Sequence, residues 1–240
     1  MNPSIRHVGM LIPASNTTIE LEYNRVLPKH YQVHVGRLLM RTVDRAGWQT
    51  QDSEIDHQAR LLGTAPIELI VLAQSTASFY AAGYDDTVTA RMQAASGVPA
   101  LAAGQIVGRA VRALGARRVV LVAPYGGETA ALSRPYFEDR HGLTVVAAES
   151  FANLPNREIS SLGIGAAAAA LARADREDID ALVIVGGNFA AMGAIAEWER
   201  RFNKPIVTTN QATMWAIFRA LDPTARLPGY GRLLDELPAG

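Results

Sequence analysis

The chain has 240 residues, 49% of them hydrophobic and 19% charged, with 23 basic residues set against 23 acidic ones. A chain of this size buries a proper core as one large α/β domain or two smaller ones, and its charge balance leaves no general field to draw in nucleic acid or a membrane surface. Cysteine is absent, which removes disulfides, thiolate metal sites and every thiol mechanism together.

No apolar run approaches the ~20 residues of a membrane span. MNPSIRHVGML enters a strand almost at once and lacks the basic-then-apolar pattern of a secretion signal, so a cytoplasmic protein is expected. The first strand is predicted at 7–12, closing in Pro13-Ala14-Ser15-Asn16-Thr17-Thr18. Ser15 or Asn16 caps a helix over 17–26, whose Glu20 and Glu22 suit its positively polarised first turns. A strand at 32–38 leads into a polar loop over 40–51 carrying Asp44, Gly47 and Trp48, and a helix over 52–62 follows.

Leu69 to Tyr80, LIVLAQSTASFY, is the most informative stretch. A continuous apolar run reads as a strand buried on both faces, and it stops abruptly at Gln74, Ser75 and Thr76. In open α/β sheets ligands sit beyond the carboxyl ends of strands, so these residues offer amide, hydroxyl and backbone N–H donors to an anion. A helix near 86–95, a short strand reaching Ala102 and a helix over 104–114 ending at Gly115 complete the first half.

The second half repeats the first. A strand at 118–123 ends in Pro124-Tyr125-Gly126-Gly127-Glu128-Thr129, parallel to Pro13–Thr18. A strand at 143–148 precedes a loop with Asn153 and Asn156, then an Ala-rich packing helix over 164–174. The strand at 181–185 stops at Gly186-Gly187-Asn188, parallel to Gln74-Ser75-Thr76, and Asn203-Lys204-Pro205-Ile206-Val207 mirrors Gly97-Val98-Pro99-Ala100-Leu101. The expected fold is therefore α/β: two similar parallel-sheet halves related by internal duplication, 1–114 and 115–215, with a ligand cleft between them. Residues 216–240 form a terminal segment that docks on a core or a partner subunit.

Several chemistries lose weight. There is no G-x-G-x-x-G after a strand and no P-loop, and no His, Asp and Glu cluster has metal-ligand spacing. His7, His30, His34 and His141 are isolated and read as surface or core residues. Ser75 lacks the G-x-S-x-G elbow of an α/β-hydrolase.

The segments VGMLIPASNTT (8–18), QSTASFY (74–80), VAPY (122–125), NREI (156–159), GGN (186–188), TTNQATMW (208–215) and PGYGRLL (228–234) together resemble the aspartate/glutamate racemase superfamily, in its maleate isomerase and arylmalonate decarboxylase branch. That resemblance spans nearly the whole chain. It implies that Asn16, Tyr125 and Asn156 hold substrate carboxylates. It also implies that Ser75, Thr76, Tyr125 and the amides of Gly187 and Asn188 form a dioxyanion hole, and that Trp48 helps close the site. The two cysteines of the superfamily fall at Gln74 and Gly186 in this chain. Two-cysteine racemisation is thus excluded, and thiolate-based isomerisation of maleate loses its nucleophile.

What remains is chemistry by hydrogen-bond donors, which stabilise the enediolate formed when a carboxylate leaves as CO2. The expectation is a cofactor-independent lyase or isomerase acting on a small dicarboxylate, most specifically a malonate-type decarboxylase. Its catalytic residues would be Ser75, Thr76 and Tyr125, with Asn16, Trp48, Gln74, Asn156, Gly186, Gly187 and Asn188 in contact with substrate. Neither a metal nor a cofactor is expected, and the family implies a homo-oligomer. Two other readings stay open: a maleate isomerase-like enzyme with non-thiol chemistry, and an inactive small-carboxylate binding protein. Ser15, Asn16, Ser75 and Thr76 also fit plain helix caps, and Asn210 and Gln211 read as cap and scaffold.

Overall fold

In the computed structural model, which describes residues 5–152 and 154–240, the chain forms two four-stranded parallel sheets. The first half runs β1 (Arg6–Pro13), α1 (Ile19–Val26), β2 (Tyr31–Leu38), α2 (Arg45–Asp52), α3 (Ile55–Leu62), β3 (Leu69–Leu72), α4 (Tyr84–Ser96), β4 (Ala100–Ala102) and α5 (Ala103–Ala113). The second runs β5 (Arg118–Ala123), α6 (Gly127–His141), β6 (Thr144–Ser150), α7 (Asn156–Ile159), α8 (Gly163–Ala174), β7 (Ala181–Ile184), α9 (Ile195–Phe202), β8 (Ile206–Thr208) and α10 (Thr209–Leu221), and α11 (Arg232–Glu236) closes the chain. The sheet orders, β2-β1-β3-β4 and β6-β5-β7-β8, are the same pattern written twice. The expected Asn153 loop position lies outside the described residues.

The strand interiors explain this arrangement. Every residue of β3 and β7 is buried, as both-face burial in a parallel sheet requires. One hydrophobic core passes from β1 and β3 through α5 to β5, β7 and α10, so the halves share an interior. A smaller core sits where α3 and α4 cover the first sheet. In the Ala-rich α8, Ala167, Ala170, Leu171 and Ala174 face inward. The terminal segment lies on α10: Gln211 Nε2 donates to the Tyr230 carbonyl and Trp215 Nε1 to that of Pro238.

Two expectations need correction. The segment 40–51 is not all loop, because Asp44 caps α2 by accepting from Gly47 N at 2.8 Å. Nor are the histidines all isolated: His7 and His34 stack at 5.2 Å on neighbouring strands. No helix among the described residues is long and apolar enough to cross a membrane.

Hydrogen bonds from α1 and its entry turn fasten the halves. Buried Glu22 accepts from the backbone N–H groups of Ala191 and Met192 through Oε1, and from Asn210 Nδ2 at 2.6 Å through Oε2. Tyr23 donates to the Asn210 carbonyl. Burial raises the Glu22 pKa while the Asn210, Ala191 and Met192 donors lower it in part. Glu20, by contrast, is exposed enough to pair with Arg37. Replacing Glu22 by Ala strands three buried donors, each costing about 1–3 kcal/mol. Glu22→Ala is therefore expected to lower the unfolding free energy by about 3 kcal/mol or more in urea denaturation. A loss below about 1 kcal/mol would show that this clamp does not hold the halves together.

Candidate active site

The carboxyl ends of β1, β3, β5 and β7 converge on one cleft. Its lining comprises Pro13, Asn16, Met40, Val43, Ala73, Gln74, Ser75, Thr76, Pro124, Tyr125, Asn156, Ile159, Gly186, Gly187 and Asn188. Nine of the ten residues expected at a site are thus brought together from both halves. The empty space is about 350 Å³ with the mouth included. This is room for a small ligand held tightly. None of the described lining residues carries a formal charge, so an anion bound to them is held by neutral donors.

The donors have a structural origin. After β3 the chain tightens into a 3-10 turn, Ser75–Phe79, and the first N–H groups of any helical turn lack internal partners. The backbone N–H groups of Ser75 and Thr76 have no hydrogen-bond partner among the described residues, nor do those of Gly187 and Asn188. Gly186 holds φ at 125° and its N–H donates to Thr209 Oγ1 at 2.9 Å. That backbone conformation favours glycine, and a Cβ here would lie 2.8 Å from Pro124 Cγ.

Side chains complete the wall. Thr76 Oγ1 accepts from Gln74 Nε2 at 3.0 Å, which leaves its own proton to donate. Ser75 Oγ lies 3.4 Å from Thr209 Oγ1. Among the described residues, two buried polar atoms of the lining have no partner, Tyr125 Oη and Gln74 Oε1. Burial pushes the Tyr125 phenol well above its ordinary pKa, with nearby Tyr80 adding to the effect, so it stays a neutral donor. An acid matched to neutral pH would need the opposite shift.

Asn16, Asn156 and Asn188 serve the scaffold as well as the cleft. Asn16 Oδ1 caps the start of α1 by accepting from Thr18 N and Ile19 N, both at 3.0 Å. The Asn188 side chain spans the halves, accepting from Thr17 N and donating to the Asn156 carbonyl. Both ends of its side-chain amide are engaged in the scaffold, and its backbone N–H is left for a ligand. Asn156 Nδ2 donates to Ser15 Oγ at 2.7 Å. Asn210 and Gln211 are scaffold: Asn210 joins Glu22 to the Gly187 carbonyl, and Gln211 forms a capping box with Thr208.

Trp48 does not line the cleft. The α2 helix turns it toward Tyr80, stacked at 5.7 Å, and Tyr84, edge-on at 5.3 Å. Met40 and Val43, from the segment just before that helix, cover the cleft instead. Sequence reasoning missed both, although Asp44 with Gly47 at cap spacing was a signal that Trp48 belongs to a helix. It also missed Thr209, which orients Gly186.

With this geometry in view, the known relatives are informative. The family model for arylmalonate decarboxylase matches residues 8–234. The chain belongs to the arylmalonate decarboxylase family. It is 29% identical to a maleate isomerase of Nocardia farcinica, over 97% of this chain and 96% of that protein. It is 26% identical to an arylmalonate decarboxylase of Bordetella bronchiseptica, over 95% and 96% respectively. Its fold superposes with a TM-score of 0.92 on a cysteine-to-serine variant of the Nocardia farcinica maleate cis-trans isomerase, at 26% identity and covering 97% and 99% of the two chains. That solved structure holds a covalently bound succinylcysteine intermediate. The present member of the arylmalonate decarboxylase family contains no cysteine, so it has no thiol on which such an adduct forms.

The glycine at 186 is a sensitive point in this family member's cleft. Gly186→Ala combines a disfavoured φ with a clash against Pro124, and is expected to cost about 1–3 kcal/mol of stability. Thermal unfolding beside the wild type checks this, and an unchanged midpoint would show that the turn relaxes freely.

Proposed function

We propose that this protein is a cofactor-independent lyase of small dicarboxylates, acting as a malonate-type decarboxylase through an enediolate held by neutral donors. The observation that carries the reading is the Tyr125 hydroxyl, buried without a partner in a cleft that also presents four unpaired backbone N–H groups. Such a wall suits negative charge on oxygen. In acyl-transfer enzymes each preorganised donor of this kind is worth about 3–4 kcal/mol in the transition state.

In the proposed reaction one substrate carboxylate accepts hydrogen bonds from Ser75, Thr76, Tyr125 and the amides of Gly187 and Asn188. The other faces Met40, Val43 and Ile159, where its charge is poorly solvated. Its C–C bond breaks, CO2 departs, and the electron pair passes to the α-carbon and is shared with the held carboxylate as an enediolate. The α-carbon then takes a proton from water or from Thr76, whose hydroxyl is replenished from water. Loss of CO2 needs no base, which suits a cleft lined by no His, Asp, Glu, Lys or Cys.

A second reading, a carboxylate-binding protein without turnover, draws on one feature: the upward shift of Tyr125 leaves the cleft without an acid matched to neutral pH. A third, isomerisation of maleate without a thiol, draws on the relatives that carry that activity. Incubation with malonate, substituted malonates and maleate in deuterated buffer, followed by NMR, separates the three. Monocarboxylate with deuterium at the α-carbon supports decarboxylation, fumarate supports isomerisation, and binding without turnover supports the second reading.

Two further outcomes are expected. Tyr125→Phe should lower kcat/KM by about 10²–10³-fold. Its unfolding midpoint should stay the same or rise, since the hydroxyl bonds to nothing in the protein. Because burial keeps Tyr125 protonated beyond its ordinary range and no other lining residue titrates, kcat/KM should be flat from about pH 6 to 9 once substrate ionisation is allowed for. A bell-shaped profile in that range would place an unrecognised acid or base at the site.

A further inference from the structure

Beside its donors the cleft carries a buried acceptor that the protein leaves unpaired. Gln74 is 6% exposed and lines the cleft beside Thr76. Its Nε2 is committed, donating to Thr76 Oγ1 at 3.0 Å and touching Met40 Sδ at 2.9 Å. That commitment fixes which end of the amide is left over. Oε1 is buried with no hydrogen-bond partner. A buried acceptor left unmade is destabilising, and such groups are completed by a bound water, ion or ligand that supplies the donor.

A plain dicarboxylate does not complete it. Carboxylates only accept hydrogen bonds, so they satisfy Ser75, Thr76 and Tyr125 yet place oxygen against oxygen at Gln74. The missing partner is a donor close to the bound carboxylate. An ammonium group would be a poor choice, because no carboxylate of the protein lines the cleft to balance a buried positive charge. A hydroxyl supplies the donor without the charge.

We propose that Gln74 is a specificity-determining residue that accepts a hydrogen bond from a hydroxyl substituent, making the preferred ligand a 2-hydroxy-substituted small dicarboxylate. This rests on the carboxylate-binding reading of the same cleft and adds to it the chemistry of the third substituent. Sites built to bond a substrate hydroxyl reject the analogue without it strongly, because their own buried group is then stranded. Gln74 also holds the Thr76 hydroxyl in place, so the residue that reads the substituent is tied to one that holds the carboxylate.

Calorimetric titration of the full chain with malonate, methylmalonate and hydroxymalonate tests this. Methylmalonate matches hydroxymalonate closely in size and lacks the donor. Hydroxymalonate should bind the wild type at least about tenfold more tightly than methylmalonate, and Gln74→Met should bring that ratio to about one. Equal affinity for the two ligands in the wild type overturns the inference while leaving carboxylate binding intact, and this arm needs no variant. Survival of the preference in a folded Gln74→Met protein, checked by circular dichroism, also overturns it. If none of the three ligands binds, the carboxylate-binding reading fails and the inference fails with it.

Discussion

The cleft exists only because the two halves are held at a fixed separation, and a few buried hydrogen bonds at α1 set that separation. Glu22 collects two backbone N–H groups and a side-chain amide from the opposite half. Asn188 reaches back to Thr17, and Thr18 donates to the Asn188 carbonyl. Hydrophobic contact alone leaves sliding between two packed layers comparatively soft, whereas a buried carboxylate with three donors has one good geometry. Donors from Ser75 and Thr76 on one side, and from Gly187 and Asn188 on the other, therefore face a common space at constant distance. Preorganisation of this kind is what lets hydrogen bonds act on a developing charge without first rearranging.

Charge neutrality of the wall follows the same logic. An arginine in the cleft would bind a carboxylate firmly in ground state and transition state alike, which lowers KM without speeding the chemical step. Hydroxyls and amides are individually weaker, and they gain most where charge accumulates on the oxygens they face. Arginines stand outside instead: Arg41 and Arg157 are both exposed and line a separate cavity beside Met40. There they can draw anions toward the cleft through solvent without entering it.

Much of this was legible in the sequence for identifiable reasons. Parallel strands buried on both faces announce themselves as short apolar runs, and LIVL followed by Gln74-Ser75-Thr76 marks both the strand and its functional end. The duplication was legible because equivalent strand ends carry equivalent polar residues. Trp48 was misread because a polar stretch with a glycine looks like a loop, and only the Asp44 side chain bonding Gly47 N turns it into a helix. The Glu22 clamp was hidden for a different reason. An acidic residue in a helix's first turn already has a local explanation in the helix dipole, and no local pattern shows that its carboxylate points into another half of the chain. The orphaned oxygen of Gln74 was equally hidden, because it is a property of what surrounds the side chain.

The duplication also makes the remaining asymmetry meaningful. Both halves present the end of their third strand to the cleft, yet they contribute different things. The first gives side chains, with Gln74 just ahead of a 3-10 turn and Ser75 and Thr76 on it. The second gives backbone and space, with Gly186 in a conformation that suits glycine and two N–H groups beyond it. A reaction that passes a proton between opposite faces of one carbon calls for matched groups in the two halves, and that match is absent. Unequal walls suit the proposed decarboxylation, in which one carboxylate is held by donors while the other sits where solvation is poor. The absence of thiols and the unlikeness of the two strand ends then point the same way. With no carboxylate, imidazole, amine or thiol in either wall, what the halves can offer an anion is hydrogen bonds, from Ser75 and Thr76 on one side and from Tyr125, Gly187 and Asn188 on the other.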